Sequence, residues 1–207
     1  MTPPSLQARK LAAARGTSQL FRELDFSLEA GQLLLVRGPN GSGKTTLLRI
    51  LAGLATAVEG AVAWCGDPMR ALDARLRAVV TYSGHAPAIK DELTAEENLR
   101  TLLALSCERT DGGSIATALA AAGLSAHRSL PARVLSQGQR RRIGLARLAG
   151  AGRPLWILDE PAAALDESAL AWLVQLVDAH LRRGGLAVVA THQPLALSAR
   201  TATLSLG

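Results

Sequence analysis

Residues 6–12 and 24–28 alternate apolar and polar side chains, the period of a half-buried strand, with a turn expected near Gly16. Residues 33–36, LLLV, are apolar throughout, as in a strand buried on both faces. Leu47, Leu48, Ile50, Leu51 and Leu54 then recur at helical spacing. Residues 60–64 and 78–82 predict further strands, with Gly66, Asp67 and Pro68 as a turn. From Thr94 to about Gly150 the pattern is mostly helical, broken at 111–113, at Gly123 and at Pro131. Residues 155–158 predict a short buried strand, 168–181 an amphipathic helix and 186–190 a last buried strand, while 201–206 alternates weakly. No internal repeat or linker is visible. This order predicts one α/β domain over residues 1–207, with a mostly parallel core sheet, an N-terminal antiparallel β subdomain and a helical subdomain inserted at about 86–150.

Composition narrows the class. With 48% hydrophobic residues the chain can fill a sizeable core, and with 3% aromatics aliphatic side chains must do most of the filling. The formal net charge of +6, mostly arginine, permits nucleic acid or an anionic membrane surface as a partner without requiring either. Cys65 and Cys107 make neither a disulfide framework nor a metal-ligand pattern. The start, MTPPSLQARK, has no apolar core of a signal peptide, and no run reaches the roughly 20 apolar residues of a membrane span. Membrane association is therefore expected only through a partner or the surface. His127 and His180 are expected at the surface.

Three stretches carry chemistry. GPNGSGKT, residues 38–45, follows a buried strand and opens a helix, and it matches G-x-x-x-x-G-K-[ST]. Glycines let the backbone curl so that successive N–H groups converge on an anion, and the helix start adds its own free N–H groups. Gly38, Pro39, Asn40, Gly41, Ser42, Gly43, Lys44, Thr45 and Thr46 are the candidate triphosphate contacts. Lys44 would reach the β- and γ-phosphates, and the Thr45 hydroxyl would ligate Mg2+. LWILDEP, residues 155–161, brings Asp159 to the end of a strand, where it would assist the metal, and puts Glu160 beside it to polarise a water. LSQGQRRR, residues 135–142, is open on its own terms: a second phosphate nest at Ser136 and Gly138, a solvated basic face at 140–142, or a nucleic-acid patch. With no aromatic surface nearby, direct nucleic-acid binding is not expected.

Taken together and in order, these motifs resemble the ATP-binding cassette (ABC) family over nearly the whole chain. Residues 38–45 resemble its Walker A loop and 155–160 its Walker B strand. Leu135, Ser136, Gln137, Gly138 and Gln139 resemble its LSGGQ signature, with Gln137 in place of the first glycine. Asp166 follows Ala164 and Leu165 as in the D-loop, and His192 follows Thr191 as the switch histidine does. The resemblance implies a P-loop ABC nucleotide-binding domain that binds ATP with Mg2+ and pairs head to tail with a second copy. Ser136 and Gly138 of one copy would then touch the γ-phosphate held by the other. His192 would position Glu160 and water as the catalytic pair, and Asp166 would lie at the dimer interface. Two positions depart from the pattern. His85 stands where the family usually has glutamine, so it is a possible metal or nucleotide contact. Arg15 stands near the usual adenine-stacking aromatic.

YSGHAPAIKDELTAEENL, residues 82–99, narrows the resemblance to the haem-exporter ATP-binding subunits of bacterial cytochrome c maturation, with Ala86 where that group has glutamine. This implies work at the cytoplasmic face of the inner membrane with membrane subunits resembling CcmB and CcmC. It also implies release of the haem-loaded chaperone CcmE. Nothing in the chain is itself a haem ligand motif. The rivals are another transporter's ATPase subunit, a soluble ABC ATPase acting on nucleic acid or ribosomes, and an interaction module that holds ATP only structurally.

Overall fold

The computed structural model describes residues 3–106 and 111–207, so Cys107 lies outside the described residues. The chain divides into two compact units. The first comprises residues 1–82, 153–160 and 177–207, and the second residues 83–152 and 161–176.

In the first unit, β1 (Ser5–Arg15) and β2 (Ser18–Glu29) form an antiparallel hairpin that turns at Gly16. Both strands run longer than the clean alternation suggested. Register shifts interrupt their ladder, and Lys10 and Glu23 adopt positive φ there, as bulges do. β4 (Glu59–Trp64) pairs with β1, and β5 (Asp67–Met69) pairs with β4. Asp67 and Pro68 therefore belong to a short edge strand rather than to the turn, and Pro68 is tolerated because the edge needs fewer donors.

The second sheet of this unit has the order β6-β7-β8-β3-β9. β3 (Leu33–Arg37), β7 (Leu155–Asp159) and β8 (Leu186–Ala190) are its centre, and β9 (Thr201–Ser205) adds to β3. The β3–β8, β7–β8 and β3–β9 pairs are all parallel. All five residues of β7 and of β8 are buried, which accounts for their unbroken apolar runs. α1 (Lys44–Leu51) packs on β7 and β8 through a face including Leu47, Leu48 and Leu51. Residues 78 and 79, expected to open a strand, instead end the short helix α2 (Ala74–Val79), which Asp73 caps; β6 is Val80–Ser83.

In the second unit, α3 (Ala95–Leu105), α4 (Gly112–Ala121) and α5 (Gln137–Ala146) share a core of Leu99, Leu103, Ile115, Leu119, Leu135 and Ile143. Thr94 with Glu97 and Ser136 with Gln139 form full capping boxes at the starts of α3 and α5. α6 (Glu167–Arg182) passes from this unit into the first. No helix among the described residues is long and apolar enough to cross a membrane.

Candidate functional site: a phosphate loop with two acids and a histidine

The candidate residues of the first unit follow three adjacent parallel strands: the glycine loop after β3, Asp159 and Glu160 at the end of β7, and Thr191 and His192 after β8. Ligands of open α/β sheets gather at these carboxyl ends. Gly38, Gly41 and Gly43 all have positive φ. A Cβ on Gly38 would lie 2.3 Å from the Leu206 carbonyl oxygen, whereas one on Gly41 would meet nothing within 4 Å, so the loop is packed behind and open in front. Gly43 precedes α1 and offers no side-chain cap, which leaves the helix's first N–H groups free for an anion. Lys44 is buried, and its Nζ donates to the carbonyls of Gly38 (2.7 Å) and Pro39 (2.9 Å), fixing its charge within the loop. Ser42 Oγ is buried with no partner among the described residues. Thr46 continues α1 beside Thr45, and Asn40 is exposed at the loop's rim.

The Thr45 hydroxyl donates to Asp159 Oδ2 at 2.8 Å. A hydroxyl and a carboxylate oxygen this close suit a small hard cation, so the residues present fit Mg2+. Among the described residues no group of three or more His, Cys, Asp or Glu gathers, so such a metal would take its remaining oxygens from phosphate and water. Burial, and after it the Asp159 charge, push the Tyr82 phenol up, which keeps it neutral.

Glu160 adopts φ 48, a left-handed conformation that costs a non-glycine residue about 1–3 kcal/mol and recurs at active sites. Its N–H donates to the Ala190 carbonyl (2.8 Å), tying β7 to β8. Its carboxylate accepts from the His192 N–H (3.3 Å) and lies 3.5 Å from His192 Nε2. A carboxylate beside an exposed imidazole can take a proton from water and be steered by the ring.

The remaining candidates belong to the second unit. Leu135 is buried, while Ser136 and Gln137 are exposed at the start of α5. Gln137 has no positive φ, so the backbone does not require the family's glycine there. Gly138 does require its lack of a side chain, because a Cβ would lie 2.5 Å from the Ala164 carbonyl oxygen. Asp166 caps α6, accepting from the Ala169 N–H and the Ser168 hydroxyl (both 2.8 Å); these bonds hold its carboxyl below the usual range. His85 is exposed and is not part of the Thr45–Asp159 pair.

Two sequence expectations need correction. Residues 140–142 are not a free basic face. Arg141 is 5% exposed and donates to the Gly84 and His85 carbonyls, Arg140 pairs with Asp91 (2.9 Å), and Arg142 donates to the Ala122 carbonyl (3.2 Å) and lies 4.0 Å from Asp166. His180 is not at the surface: it is 5% exposed and stacks on Trp156 at 3.8 Å. His127 is half-buried. Sequence reasoning also passed over Asn98, which is buried and ties down residues 90–94 by accepting from the Lys90 N–H and donating to the Lys90, Leu93 and Thr94 carbonyls.

The family model described as ABC transporter matches residues 21–163. The cytochrome c biogenesis ATP-binding export protein CcmA of Nitrosomonas europaea is 48% identical over 95% of this chain and 92% of its own. That of Pseudomonas aeruginosa is 46% identical over 93% and 95%. Among solved structures, a Pyrococcus furiosus protein described as an ABC transporter ATP-binding protein has a TM-score of 0.84 at 21% identity, covering 97% of both chains. An ATP-binding cassette in a dimeric post-hydrolysis state bound to ADP and Pi has a TM-score of 0.78 at 24% identity, covering 91% and 88%. These last two show the fold. With the loop, the acids and the histidine set on its sheet, the chain belongs to the ABC transporter ATP-binding family, within its CcmA group.

Proposed function

We propose that this chain hydrolyses ATP to drive a membrane complex of cytochrome c maturation. It works as one ATPase domain, with the helical subdomain near residues 86–150 inserted in the α/β core. The observation that carries the catalytic reading is the convergence of the glycine loop, Asp159, Glu160 and His192 at the ends of adjacent strands β3, β7 and β8. The glycine loop and Lys44 hold the β- and γ-phosphates. Mg2+, when bound by Thr45 and Asp159, neutralises charge on the phosphate oxygens. Glu160 accepts a proton from water as the water oxygen bonds to the γ-phosphorus. The bond from that phosphorus to the bridging oxygen breaks, leaving ADP and phosphate, and His192 orients Glu160 and the γ-phosphate.

A second copy completes each site by placing its Ser136 and Gly138 on the γ-phosphate, with Asp166 at the junction of the two chains. His85 responds to nucleotide from the segment that Arg141 pins. The complex sits at the cytoplasmic face of the inner membrane with CcmB- and CcmC-like subunits, and its cycle releases the haem-loaded chaperone CcmE. Similarity to the CcmA proteins over 95% of the chain supports this partner set. Arginines 140–142, the stretch that prompted the nucleic-acid alternative, are engaged within the protein rather than set out for a ligand.

The test is Glu160→Gln. ATP binding is retained, turnover falls by at least about 10²-fold, and an ATP-bound dimer accumulates, seen by light scattering as doubled mass. Turnover equal to the parent would remove Glu160 from the catalytic role.

A further inference from the structure

We propose that His127 is a positioning residue for the signature loop: as a neutral imidazole it accepts from the Gln139 side-chain amide and holds Gln139 against Ser136. The inference rests on the reading above, in which Ser136 serves the ATP of a second copy. Nothing in the family resemblance assigns His127 a task.

The geometry leaves little choice of roles. The Ser136 N–H donates to Gln139 Oε1 at 2.8 Å, and the Gln139 N–H donates to Ser136 Oγ at 3.2 Å. Because Oε1 faces an N–H, the Gln139 NH2 group is fixed on the opposite side, and there it meets His127 Nε2 at 2.9 Å. An amide NH2 only donates, so Nε2 accepts and the ring carries its proton on Nδ1. Nδ1 is buried with no partner among the described residues. An unpaired buried polar atom is costly and calls for an explanation beyond stability. Here it is explained by what Nε2 holds.

The ring is mounted on a firm support. His127 ends the 3-10 turn Ser125–His127; its N–H donates to the Leu124 carbonyl (3.0 Å), and its own carbonyl accepts from the Leu130 N–H (3.1 Å). From this turn His127 Nε2 reaches Gln139 in the first turn of α5, beside the exposed Ser136. Without an acceptor at Nε2, the Gln139 amide is free to rotate, the Ser136 N–H loses its partner, and the loop loses its fixed presentation.

Two measurements test this on the full chain. Long-range 15N correlation spectra of the wild type read the tautomer directly: an unprotonated Nε2 is expected, and a protonated one overturns the inference. In the Glu160→Gln background, His127→Leu is expected to weaken ATP-driven dimerisation about tenfold, the scale of one lost hydrogen bond. The chain's own affinity for a fluorescent ATP analogue should stay within about twofold, since its phosphate loop is untouched. His127→Gln, which keeps an acceptor, should restore dimerisation; a merely space-filling histidine would be replaced better by leucine. A dimer indifferent to both variants overturns the inference alone. A parent that never dimerises with ATP overturns the proposed function, and this inference with it.

Discussion

At Gly138 the decisive quantity is 2.5 Å, the distance a methyl carbon would have to the Ala164 carbonyl oxygen. Gly138 lies in α5 without a positive φ, so alanine would suit the backbone and improve helix propensity by about 1 kcal/mol. The contact outweighs that gain, because the obstacle is backbone rather than the end of a flexible side chain, and overpacking costs about 1–3 kcal/mol. Gly138→Ala is therefore expected to lower the melting temperature and to abolish ATP-driven dimerisation while leaving nucleotide affinity near wild type. Calorimetry with a nucleotide titration checks this. A variant as stable and as active as the parent would mean that the approach of Ala164 constrains nothing. Gln137, next to it, shows the converse: the glycine of the resemblance is replaced at a position with ordinary φ, so the replacement carries no backbone penalty.

At the scale of elements, an aromatic stack joins the end of α6 to β7. His180 lies 3.8 Å from Trp156 on β7, and its Nε2 is 3.1 Å from the Leu186 carbonyl at the start of β8. Burial pushes the imidazole below its ordinary value, against the opposing pull of the Leu186 carbonyl. The sign follows: the folded state keeps the ring neutral while the unfolded chain protonates it below about 6.5. This stabilisation is full above that value and is lost as pH falls from it toward the folded-state value, with a limiting slope of about 1.4 kcal/mol per pH unit. His180→Leu removes the titration. The stability gap between wild type and variant, read from urea midpoints at pH 7.5 and 5.5, is expected to narrow at the lower pH. A constant gap would sink this assignment.

The same helix shows how much was legible in advance. The central strands and α1 were visible because long apolar runs and a full phosphate-loop pattern admit few alternatives. α2 and β5 were missed because three to six residues are too short for a period to declare itself. His180 was readable in principle: Leu173, Val177 and Leu181 mark the buried face, and a residue seven beyond Leu173 falls on it. Arg141 was also readable, since it stands four residues before Leu145 and so falls on the helix face that this buried leucine marks. The Gln139–His127 contact was not, because it depends on how a 3-10 turn folds back on α5, and no spacing rule encodes that.

At the scale of the whole molecule, a net charge of +6 makes salt a way to tell two modes of membrane association apart. One is adsorption of basic side chains to anionic lipid, which is screened by salt over roughly 10 Å at 0.1 M. The other is a specific protein partner, whose buried apolar contacts are not removed by salt screening. Several arginines that would supply the first are already engaged: Arg128 and Arg100 with Glu96, Arg140 with Asp91, and Arg141 with backbone carbonyls. The chain is accordingly expected to stay on native membranes through a wash at about 1 M salt, where the Debye length is only about 3 Å. After gentle solubilisation, mass spectrometry should find CcmB- and CcmC-like proteins with it, and Glu160→Gln cells should accumulate haem-loaded chaperone. Release by salt would point to lipid adsorption. Retention with an unrelated permease would keep the proposed ATPase and discard the haem assignment, because the residues proposed to be catalytic belong to the chain while the cargo assignment rests on its partners.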